Sequence, residues 1–278
     1  MKYRNPKNAK TVAAFWEKPL NKPDWYEVIA SADSPTEIFL YDVIGWPYND
    51  ARELVARMSE LRGQDVLMRI NSPGGDVFDG LAIFAEAAEN PNLTIRIESL
   101  AASMASGIAM ASKNKVQMYS SAMMMIHEPW MCLGGNQHDF REAADFLDQV
   151  NENLIGLYAG KTKKGKKELR ELMKATTWMN AEKAKAEGFV DEIIKPGDKK
   201  PAKAAFNLSV FDNLPDELRG NGTPTVRDAE RALRDVGFSQ AEAKAIVAGG
   251  YKATAQDADE TRFVLDQLTR IFKGGYNA

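Results

Sequence analysis

Between Glu37 and Ile194 short apolar runs of strand length alternate with stretches of helical spacing, and few folds accommodate that order. Glu37 to Ile44 is rich in β-branched and aromatic residues and predicts a strand. Asn49 to Arg62 places Leu54, Val55, Met58 and Leu61 at helical spacing, with Asn49 or Asp50 available as a cap. Val66 to Ile70 predicts a strand, Phe78 to Ala88 a helix, and Leu93 to Glu98 a strand of period two. Leu100 to Ala111 is a run of small apolar residues that predicts a buried helix. Lys115 to Tyr119 and Ala122 to Ile126 predict strands, and Ala143 to Tyr158 a long amphipathic helix. Lys167 to Met173 and Ala181 to Glu187 predict short helices, and Phe189 to Ile194 a last strand. Strands that alternate with helices imply an α/β domain with a largely parallel sheet.

The rest of the chain reads differently. Residues 1–34 are an N-terminal leader, irregular or with one short strand, and residues 35–197 hold the alternating pattern. Residues 195–204, KPGDKKPAKA, open a linker that extends over 198–224. Within 225–278, Thr225 to Gly237 and Ser239 to Val247 predict a pair of short helices, with Arg227, Arg231 and Arg234 on the first. The formal net charge is −3, so no basic excess supports a DNA reader, and a small helical interaction module fits better. The basic run from Lys161 to Arg170 reads as a solvated face.

Two further counts narrow the chemistry. The chain has one cysteine, Cys132, so no intrachain disulfide or Cys-rich zinc site can form, and the residue reads as a small core side chain. It has two histidines, His127 and His138, which excludes a zinc site with several His ligands. No HExxH, P-loop or GxGxxG pattern occurs, and no cofactor is expected. The basic N-terminus is followed by no apolar run, and Leu100 to Ala111 is short of the ~20 residues of a membrane span. A cytoplasmic protein with no membrane and no nucleic-acid partner is expected.

Three segments at predicted strand ends could carry chemistry. Asn71-Ser-Pro-Gly-Gly75 is a turn whose glycines leave the backbone N–H groups bare. Ala101-Ala-Ser-Met-Ala-Ser-Gly107 places Ser103 at the start of a helix, with the Met104 N–H beside it. Met123-Met-Met-Ile-His-Glu-Pro129 delivers His127 at the end of an apolar strand, as a general base would be. Taken singly, each has a plain structural reading: a strand-to-helix turn, close packing through small residues, and a hydrogen-bonded core histidine. Together they supply an oxyanion donor, a nucleophile and a base where α/β folds place their sites, which is the equipment of acyl transfer.

Ile70-Asn-Ser-Pro-Gly-Gly75, Ala101-Ala-Ser-Met104, Met125-Ile-His-Glu-Pro129 and Ala181-Glu-Lys-Ala-Lys-Ala-Glu-Gly-Phe-Val-Asp191 resemble the signatures of ClpP-type serine peptidases, in matching order and spacing. The resemblance covers roughly Thr36 to Lys195. It implies a ClpP/crotonase-like fold of repeated ββα units, here with a small helical C-terminal appendage. It implies Ser103 as nucleophile, His127 as base, and the backbone amides of Gly75 and Met104 as oxyanion hole. It also implies homo-oligomeric rings, with Gly134 to Phe140 and the following helix at the position of the strand and helix that join two rings.

Two departures stand out. The position of the family's acid is taken by Thr176, which cannot stabilise an imidazolium as a carboxylate does; either another acid substitutes, with Glu171 and Asp139 as candidates, or the enzyme runs on a Ser-His dyad, or it is slow. The tail after residue 200, together with Trp130, resembles phage and prophage ClpP-like head maturation (prohead) proteases, which implies a scaffold or capsid precursor as substrate. If the tail is removed by self-cleavage, the break is expected within 195–224. Three other readings compete: an ATP-dependent Clp proteolytic subunit served by a separate AAA+ unfoldase, a catalytically inactive structural ring protein, and a crotonase-type acyl-CoA enzyme.

Overall fold

The computed structural model describes residues 25–30, 34–45, 49–195, 206, 208, 210–218 and 244. The chain divides into two units, Met1–Arg219 and Gly220–Ala278, and the following concerns the first. The helices expected at Thr225 to Gly237 and Ser239 to Val247 lie, apart from Lys244, outside the described residues.

Eight strands form one sheet: β1 (Tyr26–Ile29), β2 (Thr36–Leu40), β3 (Val66–Ser72), β4 (Leu93–Ala102), β5 (Lys115–Tyr119), β6 (Met123–Ile126), β7 (Thr177–Asn180) and β8 (Glu192–Ile194). The main path runs β1-β2-β3-β4-β5-β8, parallel from β2 onward. Among the named strands, β1 pairs antiparallel with β2 and β6 with β7. The connecting helices are α1 (Arg52–Ser59), α2 (Val77–Glu89), α3 (Met104–Ala109), α4 (Gln137–Thr162), α5 (Lys166–Lys174) and α6 (Ala181–Ala186).

Alternation along each strand assigns the faces. Ile38, Leu40, Met68, Ile70, Ile95, Ile97, Val116 and Met118 are buried in one cluster with Leu54, Ile83, Ile108, Ile155 and Met173 from the helices. Among the intervening residues, Glu37, Arg69, Arg96 and Glu98 place charge on the opposite face. There Arg69 Nε donates to Glu98 Oε1 at 2.6 Å and Nη1 to Glu37 Oε2 at 3.0 Å, while the Tyr41 hydroxyl donates to Glu98 Oε2. Burial, and then the adjoining Glu98 carboxylate, push the Tyr41 phenol above its ordinary range. The Glu98 side chain is only 2% exposed, so removing Arg69 strands a buried carboxylate. Arg69→Ala is expected to cost about 2–3 kcal/mol, less than the ~3–5 kcal/mol of a fully buried pair because the guanidinium keeps partial contact with water. Thermal melts should show a fall of roughly 5–10 °C, part of it recovered by adding Glu98→Gln; an unchanged melt would show that the pair contributes nothing.

β4 is the element that shapes the site. Its first half, Thr94–Ile97, pairs with β5, and its last residues, Leu100–Ala102, pair with Met123–Met125 of β6. The register against β3 slips between Ile70 and Ser72, so that Ser72 faces Ala101. The ends of β3, β4 and β6 are thereby brought side by side.

Several expectations change. The helix expected over Leu100 to Ala111 is split: β4 continues through Ala102, a sharp turn follows at Ser103, and α3 is confined to Met104–Ala109. Small apolar residues suit a helix and a closely packed strand end equally, so composition could not locate that break. The pairing of Ala101 and Ala102 with β6 decides it. β7 was not anticipated; its four residues Thr177–Asn180 are held as a strand by pairing with β6. α4 begins at Gln137, not Ala143, because Asn136 and Asp139 form a capping box. Among the described residues no strand includes 134–136, so the strand expected within Gly134 to Phe140 is absent and Phe140 lies in α4. Neither Asn49 nor Asp50 is the cap of α1, which starts from Ala51; the Asn49 amide instead donates to the Val43 carbonyl at 2.5 Å. Cys132 is exposed, because the chain leaves the sheet after His127.

The basic run from Lys161 to Arg170 is not simply solvated. Lys161 pairs with Asp191 at 2.6 Å, and Lys164 with both Glu168 and Glu187 at 2.5 Å, each lysine side chain being 15% exposed. Within the stretch read as a linker, Leu208, Val210 and Phe211 are buried in a second apolar cluster with Leu100, Ala102 and Met125, on the face of β4 and β6 away from the main core. Among the described residues no helix is long and apolar enough to cross a membrane.

Candidate active site

Ser103 stands on the strand-to-helix turn between β4 and α3 with φ +54° and ψ −128°, a conformation that costs a non-glycine residue about 1–3 kcal/mol. The surroundings hold it there. Its N–H donates to the Met125 carbonyl at 2.9 Å. Its carbonyl accepts from the Ser106 N–H at 3.0 Å and the Ser106 hydroxyl at 2.5 Å. The Tyr158 hydroxyl of α4 lies 2.8 Å from Ser106 Oγ, and burial pushes its pKa up to about 12. A strained serine on a strand-to-helix turn projects its hydroxyl away from the backbone, as a nucleophile must.

His127 follows the last residue of β6 and is 8% exposed. Its Nε2 is 2.7 Å from Ser103 Oγ. When Nε2 carries no proton it accepts the serine proton directly, the first requirement of nucleophilic catalysis by a neutral hydroxyl.

Asn71 and Ser72, expected in the turn, are the last residues of β3; the turn proper is Pro73 to Asp76. Ser72 Oγ donates to the Asp42 carbonyl at 2.5 Å and accepts the Gly74 N–H at 3.1 Å. Gly74 and Gly75 take φ +92° and +154°, which side chains rarely adopt. Gly75 bridges to Ile44, through the Ile44 N–H to the Gly74 carbonyl at 2.9 Å and the Asp76 N–H to the Ile44 carbonyl at 2.8 Å. None of these backbone bonds uses the N–H of Gly75 or of Met104. A Cβ on Gly74 would fall 2.7 Å from Ser103 Cβ and 2.9 Å from the Met104 nitrogen, so the turn lies directly against the nucleophile elbow. Asp76 then caps α2 by accepting from the Phe78 and Asp79 N–H groups at 2.8 and 3.0 Å.

The three motifs therefore meet at one place. Thr176, buried and with φ +50°, immediately precedes Thr177 of β7, which pairs with Ile126 next to His127. Of the two alternative acids, Asp139 accepts the Asn136 N–H in the α4 capping box, and Glu171 is exposed on α5. Sequence reasoning missed Phe211. Its ring packs against the His127 imidazole, centroids 5.3 Å apart and planes at 84°, and against Trp178 at 6.2 Å and 70°. No motif marks an aromatic residue so far downstream, in a stretch that reads as a linker.

The Clp protease family matches residues 21–197, well over half of the chain. The chain belongs to the Clp protease family. Similar proteins include the ATP-dependent Clp protease proteolytic subunits of Streptococcus pyogenes serotype M5 (strain Manfredo), serotype M49 (strain NZ131) and serotype M1. Each is 32% identical over 164 residues, 55% of this chain and 82% of the relative. The mixed sheet with its flanking helices is the Clp protease fold, and this Clp protease family member is a serine-type peptidase.

Proposed function

We propose that the chain is a ring-forming serine endopeptidase that works through Ser103 and His127, with the backbone N–H groups of Gly75 and Met104 as oxyanion donors. The observation that carries this reading is the 2.7 Å approach of His127 Nε2 to the hydroxyl of a serine held at positive φ. Ser103 Oγ attacks the peptide carbonyl carbon as its proton passes to Nε2. The oxyanion of the tetrahedral intermediate turns toward the two N–H groups. The C–N bond breaks as the imidazolium returns the proton to the amine. Water, deprotonated by His127, then releases the acyl group from Ser103.

For the biological role we favour a prohead protease that cleaves a scaffold or capsid precursor in the host cytoplasm or procapsid. Residues 198–278 extend past the family match, and Thr176 replaces an acid, which suits a slow peptidase used once. The second reading, a proteolytic subunit that depends on a AAA+ ATPase, is favoured by the likeness to ATP-dependent Clp protease proteolytic subunits. One experiment separates them. The purified protein is incubated with unfolded casein and with a scaffold precursor, without nucleotide and then with a AAA+ unfoldase and ATP. Nucleotide-independent precursor cleavage that is lost in Ser103→Ala is the expected result. Degradation only with unfoldase and ATP supports the second reading, and Ser103-independent or absent cleavage in every condition overturns both.

A further inference from the structure

Leu208 and residues 210–213 lie beyond the family match at 21–197, yet Phe211 among them packs against His127. Two hydrogen bonds fasten this stretch to the segment that carries Thr176. Asn213 Nδ2 donates to the Ala175 carbonyl at 2.7 Å, and the Trp178 indole N–H donates to the Asp212 carbonyl at 3.2 Å. These anchors lie on either side of the position where the resemblance places an acid. Between them Phe211 is inserted, 6% exposed, its N–H donating to the Leu208 carbonyl at 3.0 Å. Leu208 and Val210 fill the cluster beneath, against Leu100, Ala102 and Met125. Met125 lies two residues before His127 and Ala102 one residue before Ser103, so the same apolar patch supports both ends of the Ser–His bond.

We infer that Phe211 is a positioning residue for His127: its ring, held by the segment C-terminal to the protease core, keeps the imidazole in the rotamer that meets Ser103 Oγ. The inference rests on the Ser103–His127 reading above and adds a component to it. A carboxylate in such a site orients the imidazole by a hydrogen bond and stabilises its charge. Thr176 carries no carboxylate, and the edge-to-face contact of Phe211 restricts the imidazole through packing. Phe211 supplies orientation without supplying negative charge. The extension is thereby a working part of the site and not a trailing linker.

The test is inactivation of the full chain by a fluorophosphonate probe, with the limiting rate constant kinact and the half-saturation constant KI measured separately, on wild type, Phe211→Leu and Phe211→Ala. Circular dichroism gives the folded fraction of each. Loss of orientation lowers kinact, by about tenfold in Phe211→Ala, and leaves KI unchanged, because the ring contacts the base and not the probe. Phe211→Leu, which keeps the apolar volume but not the planar ring, is expected to fall between the two. A merely structural role lowers the amplitude of labelling in proportion to the unfolded fraction while the folded molecules keep the wild-type kinact, and that result overturns the proposal. A kinact that rises in either variant also overturns it, since Phe211 would then be a cover over the site. Should Phe211→Ala fail to fold, the Leu variant alone decides, by a kinact below or equal to wild type. Absence of labelling in the wild type, or labelling retained in Ser103→Ala, is the separate failure of the Ser103–His127 reading.

Discussion

Ser103→Ala is expected to abolish fluorophosphonate labelling and to lower peptide hydrolysis by about 10⁴- to 10⁶-fold, and His127→Ala to do nearly the same. The double variant is little worse than either single one. The reason is the geometry: one proton is shared between Ser103 Oγ and His127 Nε2 over 2.7 Å, so removing either partner removes the whole transfer. What survives is positioning of the substrate and stabilisation by backbone donors, neither of which needs a side chain at position 103. Rates are measured by single-turnover release of product from a fluorogenic peptide. Simple multiplication of the two losses would show that serine and histidine act independently, contrary to this reading. A companion variant tests the strain at the elbow. Ser103→Gly relieves the positive φ and is inactive, and it is expected to be more stable than Ser103→Ala by about 1 kcal/mol despite the greater freedom of unfolded glycine. Equal melting temperatures for the two would mean that the turn carries no stored strain.

How much of this could be read from the chain depends on where the relevant contacts lie. The strands β3, β5 and β6 and the helices α2 and α5 are written in local periodicity, because each buries a continuous stripe of its own residues. Ser103 and His127 were legible because each is the one polar side chain leaving an apolar strand end. The break at Ser103 was not, since Ala and Ser pack as well at the end of β4 as in α3, and only the pairing of Ala101 with Ser72 and Met124 settles which they do. β7 is fixed by its partner β6 in the same way. The neighbours of His127 show the sharpest contrast. A motif search inspects residues near one another in sequence or at a family's spacing, and Phe211 satisfies neither condition. Its place is set by Trp178, Asp212 and Asn213, a contact set that exists only once β7 is paired and the chain has turned back over β4 and β6.

Gly75→Ala is the backbone counterpart of the nucleophile deletion. A Cβ at this position would fall 2.0 Å from the Ile44 carbonyl oxygen and 2.7 Å from the Ile44 nitrogen, in a backbone conformation that side chains seldom adopt. Neither neighbour can yield as the end of a flexible side chain would, since both belong to the backbone bridge between Ile44 and Gly75. The turn must therefore move, and the N–H of Gly75 moves with it. Loss of one well-placed oxyanion donor costs about 10²–10³ in kcat, with KM little altered because the donor meets the intermediate and not the resting substrate. Overpacking at the bridge adds a destabilisation of about 1–3 kcal/mol. Gly134→Ala is the control, with nothing within 4 Å of the added methyl group. Fluorogenic-peptide kinetics and thermal melts on the three proteins make the comparison. A Gly75→Ala enzyme that melts early yet keeps wild-type kcat would remove the Gly75 amide from the oxyanion site and leave that role to the Met104 N–H alone. A large fall in kcat, counted per folded molecule, at an unchanged KM would place the amide at the developing charge, since damage to the fold alone lowers the amount of active enzyme and leaves the turnover of each intact molecule as it was.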